Sequence, residues 1–340
     1  MLLVNIEIFA KLSGTSSVSG LLLGPRIATP SDANRKTLGD MLAGKPVSNQ
    51  RLGRLFLGVV DYLHAETDLY DEMQQKAREL VGEQVALLPS EESRHARSLF
   101  LWKGLASVLE PAAPKTALAL QEMALSSEKM HNIYDERGPS ALAKEISSVP
   151  EGASCNFFET AAELFSEAKN VQAGQAFFET FGLASLVLGY THEMVEKNGT
   201  AGESLDLLPK LLSSENGQVR PEMSYALALS NALKASGLRQ TQAISIAFGP
   251  GENKRRDIQR QLVGGRVPPQ HVIEAALKPL HRDLPGDEAK RRYVGLILCM
   301  VITRAYKRLE KMSNVSDPRL PFQFALESFL ARLDAGPRLA

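Results

Sequence analysis

Cysteine is scarce, with only Cys155 and Cys299 in 340 residues, both in apolar, helical-looking surroundings. Two such residues make no disulfide framework and no zinc-ligand spacing, suit a reducing compartment, and read as buried small hydrophobes. Histidine is also sparse, and His64, His131, His271 and His281 are scattered. His192-Glu193 with Glu196, and Glu91-Glu92 with His95, each fall within one helical turn. Neither has the two-histidine spacing of a metal helix, and no third ligand accompanies them. No Ser/His/Asp or Cys/His set can be assembled, so the reading is of a non-enzyme with no catalytic residue, metal or cofactor. Gly249-Pro250-Gly251-Glu252-Asn253-Lys254 lacks the Gly-Lys-Ser/Thr ending and the preceding strand that a phosphate loop requires.

Long apolar runs are missing too. The best, Tyr293 to Thr303, falls short of the roughly 18 residues a membrane span needs. The start, Met1 to Ile8, has no basic region and carries Glu7 within its apolar run, a poor secretory signal. The expectation is a cytoplasmic protein without membrane contact, whose sequons Asn198-Gly199-Thr200 and Asn314-Val315-Ser316 carry no glycan. No run alternates apolar and polar residues as a half-buried strand would.

What is present is helical periodicity and an uneven charge. Phe157, Ala161, Leu164, Phe165 and Ala168 recur at spacings of three and four, as do Phe177, Phe181, Ala184 and Leu188. This aromatic stripe reads as core. Breaks at Pro89-Ser90, Pro111 to Pro114, Gly138-Pro139, Pro150 to Gly152, Asn198-Gly199 and Gly249 to Gly251 divide the chain into about 13 to 16 helices. Basic and acidic residues number 7 and 8 in residues 1–75, 12 and 20 in 76–215, and 20 and 11 in 216–340. The zero net charge therefore conceals an acidic middle and a basic final third, which suggests different partners for each.

The chain also repeats itself. Asn34 to Leu52 and Lys254 to Val272 align at a constant offset of 220, matching Arg35/Arg255, Lys36/Arg256, Leu38/Ile258, Leu42/Leu262, Gly44/Gly264, Val47/Val267, Gln50/Gln270 and Leu52/Val272. Upstream, Ser13-Gly14 pairs with Ser236-Gly237, and Leu23-Gly24-Pro25 with Phe248-Gly249-Pro250. The C-terminal copy reads as helices over Met223–Ala235, Gln240–Phe248, Glu252–Val263 and Pro269–Leu280. Gly264-Gly265 closes the third of these in a left-handed turn, and Pro268-Pro269 opens the fourth.

Leu-x-Gly followed by a basic residue, a proline or serine and a new apolar helix resembles the recognition helix and following turn of lambda-repressor-like (Cro/C1 type) helix-turn-helix domains. In that family Ser236 to Gln242 would span the end of the first helix and the start of the second. The loop Gly249-Pro250-Gly251-Glu252 is longer and richer in glycine than the family's tight turn. The resemblance implies DNA contact through Asn253, Lys254, Arg255, Arg256, Gln259, Arg260 and Arg266, with Arg35, Lys36 and Lys45 in the weaker N-terminal copy. Arg256, Gln259 and Arg260 stand at i, i+3 and i+4 and share one face, while Ile258 and Leu262 point inward. Long cationic donors suit phosphates and guanine edges, and Asn or Gln suits adenine.

A second basic run, Lys290-Arg291-Arg292 with Arg304, Lys307, Arg308 and Lys311, lies on a helix from about Asp287 to Met312. It reads as surface charge flanking a buried Val294–Ile302 face. The expected architecture is all-α, with two helix-turn-helix-like units (1–75 and 206–285) flanking an acidic helical middle domain (76–205), and a helical extension (286–340). The expected function is a DNA-binding transcriptional regulator that binds double-stranded DNA as a homodimer, with the middle domain open to a protein partner. The competing readings are an all-helical adaptor or scaffold and a partition or replication accessory DNA-binding protein.

Overall fold

The structure is a computed structural model that describes residues 4–15, 17–23, 32–43, 45, 47–64, 70–72, 74, 75, 78, 94–111, 113–147, 155–197, 212, 218–234, 237–249, 251–279 and 286–334. The fold is all-α, and no strand occurs among the described residues. Helices α1 Ile6–Leu12, α2 Val18–Leu23, α3 Asp32–Leu42 and α4 Asn49–His64 come first. The middle holds α5 Arg94–Leu109, α6 Pro114–Arg137, α7 Pro139–Ser147, α8 Cys155–Ser166 and α9 Val171–Lys197. Then follow α10 Ser224–Lys234, α11 Gln240–Phe248, α12 Glu252–Leu262, α13 Gln270–Leu277, α14 Gly286–Glu310 and α15 Leu320–Asp334. No helix among the described residues is long and apolar enough to cross a membrane.

The punctuation acts as local chemistry dictates. Helix α6 begins at Pro114, whose missing N–H costs nothing in a first turn, and stops at Gly138, with φ +81°. A buried acid from a distant helix caps the same N-terminus. Glu193 accepts the Lys115 and Thr116 backbone N–H groups at 3.0 and 2.9 Å and the Thr116 hydroxyl at 2.7 Å. The aromatic stripe is core: Phe157 stacks on Phe177 at 5.1 Å, and Phe181 stacks at 4.8 Å on Phe324 of α15. Cys299 is buried, and desolvation pushes its thiol up to about 12, which leaves it inert at neutral pH. The Cys155 side chain lies outside the described residues.

The two repeat copies correspond in structure as well as sequence. In each, the second helix packs on the other three, α2 on α1, α3 and α4, and α11 on α10, α12 and α13. Gly14 and Gly237 both take positive φ, +83° and +70°. Each donates its N–H to the carbonyl three residues back, Lys11 and Lys234, at 3.1 Å. At the end of the third helix, Lys45 N–H reaches Asp40 O at 2.9 Å, and Gly265 N–H reaches Arg260 O at 2.8 Å. These positions are also 220 residues apart.

A fifth helix joins each copy. The hydroxyl of Ser98 on α5 accepts Ile6 N–H at 2.9 Å, and that of Thr303 on α14 accepts Tyr225 N–H at 3.0 Å. Each thereby satisfies an orphan donor at the start of the copy's first helix. Helix α14 serves two cores. Leu296 and Met300 close a cluster with Tyr225, Leu229, Leu233, Ala243 and Ile273, whereas Cys299, Val301, Ile302, Ala305 and Leu309 enter the larger one.

Candidate nucleic-acid interface

Helix α12 is framed by glycine at both ends. Gly251 precedes it at φ +134°, and after Val263 the chain turns at Gly264, φ +77°. Gly264 N–H bonds to Gln261 O at 3.0 Å, and with the Gly265–Arg260 bond this forms a Schellman closure. The inner face is short. Ile258 is buried, and buried Gln261 accepts the Tyr225 hydroxyl at 3.0 Å, which anchors α12 to α10. Burial raises the Tyr225 pKa well above its ordinary value, so the phenol remains a donor.

The outward residues are the ones singled out from sequence. Asn253, Lys254, Arg255, Arg256, Gln259 and Arg260 are all exposed, and so is Arg266 just beyond the Schellman turn. Two carboxylates stand among them. Glu252 pairs with Arg256 at 2.8 Å, while Asp257 pairs with Arg266 at 3.0 Å and Arg260 at 3.8 Å. Such exposed pairs contribute only about 0–1 kcal/mol each, so an incoming phosphate can displace them. The first turn of α12 has no side-chain cap.

The N-terminal copy turns its equivalent residues to its own use. Arg35 is half-buried and donates to Ser19 O at 3.4 Å. Lys36 is exposed. Asp40, at the position of Arg260, accepts Arg51 at 2.8 Å and Lys45 at 3.4 Å. The Arg51 hydrogen bond, with help from Lys45, holds the Asp40 carboxyl below its usual range. Gly44, the counterpart of Gly264, lies outside the described residues.

The basic run on α14 departs from the sequence reading. Arg304, Lys307 and Arg308 are internal anchors rather than surface charge. Arg304 donates to Lys11 O at 3.0 Å and Leu12 O at 3.2 Å with one nitrogen, and to Val267 O at 3.4 Å and Pro268 O at 2.6 Å with the other. It thus ties the end of α1 to the linker between α12 and α13. Lys307 donates to Gly264 O at 2.6 Å, and Arg308 pairs with buried Glu179 at 2.8 Å. Burial pushes the Glu179 pKa up, and Arg308 opposes that rise. The side chains of Lys290, Arg291 and Arg292 lie outside the described residues, and Lys311 is exposed.

The same node explains Gly14. A Cβ there would meet Arg304 Nη1 at 2.7 Å and Gln270 N at 2.8 Å, and Gly14 O accepts Gln270 N–H at 3.1 Å. Among the described residues no cluster of three or more His, Cys, Asp or Glu side chains could hold a metal ion. Compared with family models, curated proteins and solved structures, the chain matches none.

Proposed function

We propose that the protein is a DNA-binding transcriptional regulator that lays the outward face of α12 in the major groove of double-stranded DNA. The observation that carries this reading is the joint exposure of Arg256, Gln259 and Arg260 on one face of a helix held rigidly from behind by Ile258, Gln261 and Lys307. Arg to guanine and Gln to adenine are the bidentate pairings such a face can make. Lys254, Arg255 and Arg266 flank it and suit phosphates. The uncapped first turn of α12 offers backbone N–H groups to another phosphate. With Asp40 tied to Arg51, α3 contributes orientation rather than base reading in this account.

Alanine substitution separates the roles. Loss of Arg256, Gln259 or Arg260 is expected to cost about 1–3 kcal/mol on the preferred site and to blur specificity there, whereas Lys254→Ala weakens all sequences alike. Asp257→Asn, which frees Arg260 and Arg266, is expected to tighten binding to every duplex. Competition binding with specific and random DNA measures both effects. Equal losses from the four alanine variants, or no gain from Asp257→Asn, would contradict the assignment.

A further inference from the structure

Helix α6 carries an outward stripe. Its inner residues, among them Leu120, Met123 and Ala124, are buried, and the helix packs on α5, α7 and α9. On the other side Leu118 and Leu125 are 57% and 60% exposed. Seven residues separate them, two helical turns, so they stand one above the other, and exposed Asn132 continues the row. Beside this row run Lys115, Glu122, Lys129 and Glu136, again seven apart, alternating in sign and all exposed. Lys115 and Lys129 reach Glu196 and Glu145 of the same chain through exposed pairs of little energetic weight.

We propose that this stripe is a homodimer seam, in which α6 of two copies packs antiparallel across a two-fold axis. With the axis between Leu125 and Ser126, Lys115 faces Glu136 of the partner subunit, and Glu122 faces Lys129 of the partner subunit. The two Leu125 side chains meet beside the axis, and Leu118 lies near Asn132 of the partner subunit. A parallel pairing would carry this charged row to opposite sides of the seam, where Lys115, Glu122, Lys129 and Glu136 meet no charge of the same row in the partner. The charge pattern is therefore self-complementary in one orientation only, the isologous arrangement that a two-fold interface requires. A helix of 24 residues is about 36 Å long, which places the seam near the lower end of stable interfaces, about 1,200 Å² in total. The dimer is accordingly concentration-dependent.

Sedimentation velocity of the full chain tests it. The wild type is expected to dimerise as concentration rises. The double variant Leu118→Asp, Leu125→Asp should raise the dissociation constant at least about a hundredfold, since each copy loses two buried leucines. Both residues are exposed in the subunit, so circular dichroism should not change, nor should Tm at concentrations where the wild type is monomeric. Glu122→Lys should weaken the dimer, and adding Lys129→Glu in the same chain should restore it. Under oxidation Leu125→Cys should cross-link to itself, and Leu118→Cys should not. A chain that stays monomeric at all concentrations would assign the stripe to another occupant and overturn the proposal. So would a dimer indifferent to the leucine substitutions, or self-cross-linking by both cysteine variants, which marks a parallel pair.

Discussion

Replacing Arg304 with Met is expected to lower the stability of the protein by about 2–4 kcal/mol. The guanidinium serves four backbone carbonyls, Lys11, Leu12, Val267 and Pro268, which belong to the two copies of the repeat. A hydrogen bond from a charged donor contributes about 1.5–3 kcal/mol, and the partly solvated carbonyls of Lys11 and Leu12 recover some of that loss from water. Methionine keeps the alkyl volume, so the loss reports the hydrogen bonds rather than a cavity. Arg304→Lys keeps the charge but has no planar fork to span both pairs of carbonyls, and should recover only part of the loss. Chemical denaturation measures the difference. Hydrogen exchange should rise together at the Gly14 turn and at Gln270, whose N–H bonds to Gly14 O. An unchanged unfolding midpoint for Arg304→Met would show that the clamp contributes nothing.

Gly264→Val is expected to be nearly as damaging, through backbone strain. Gly264 sits at φ +77°, where a β-branched residue costs at least about 1–2 kcal/mol. Its added Cβ would also stand 3.0 Å from Met223 Sδ and 3.2 Å from Glu222 O, so the turn just before α10 must give by a few tenths of an ångström. The Schellman closure and the Lys307–Gly264 bond would loosen together. Gly264→Asn meets the same contacts but tolerates the left-handed conformation, and should be milder than Gly264→Ala. Thermal denaturation should rank the variants in the order Asn, Ala, Val, from mildest to most severe. On the proposed function, DNA affinity should fall in the same order. Valine at Gly264 with an unaltered Tm would remove the argument for a strained turn.

Local chemistry was readable in the sequence, and remote contacts were not. The second and third helices of the C-terminal copy were expected over Gln240–Phe248 and Glu252–Val263, and occupy Gln240–Phe248 and Glu252–Leu262. Glycine sets three of those limits, with Gly249, Gly251 and Gly264 all at positive φ, which involves no distant residue. The fourth is expected over Pro269–Leu280, and among the described residues it is helical over Gln270–Leu277, with Lys278 and Pro279 in a turn. The outward face of α12 followed from helical period, because Ile258 is the apolar residue that must turn inward. Arg304 could not be foreseen. Its position on α14 is compatible with a solvated flank, and only the approach of α1, almost 300 positions earlier, supplies the Lys11 and Leu12 carbonyls. The fifth helix of each copy was hidden for the same reason. Ser98 and Thr303 act on Ile6 and Tyr225 across 92 and 78 residues, and one small hydroxyl leaves no periodic trace. The quieting of α3 has a sequence signal in Asp40 and Arg51, opposite charges eleven positions apart on neighbouring helices.

The most direct measurement is the salt dependence of duplex DNA binding by the full chain, compared with a variant in which Lys254, Arg255, Arg256 and Arg260 are all alanine. Each phosphate neutralised by a cation lowers the logarithm of affinity by about 0.9 per tenfold rise in salt. The wild type is expected to bind with a slope of several such contacts, and the variant to lose most of the affinity and most of the slope while its Tm holds. Binding that is absent, indifferent to salt, or unchanged in the variant would contradict α12 as the DNA-contacting face.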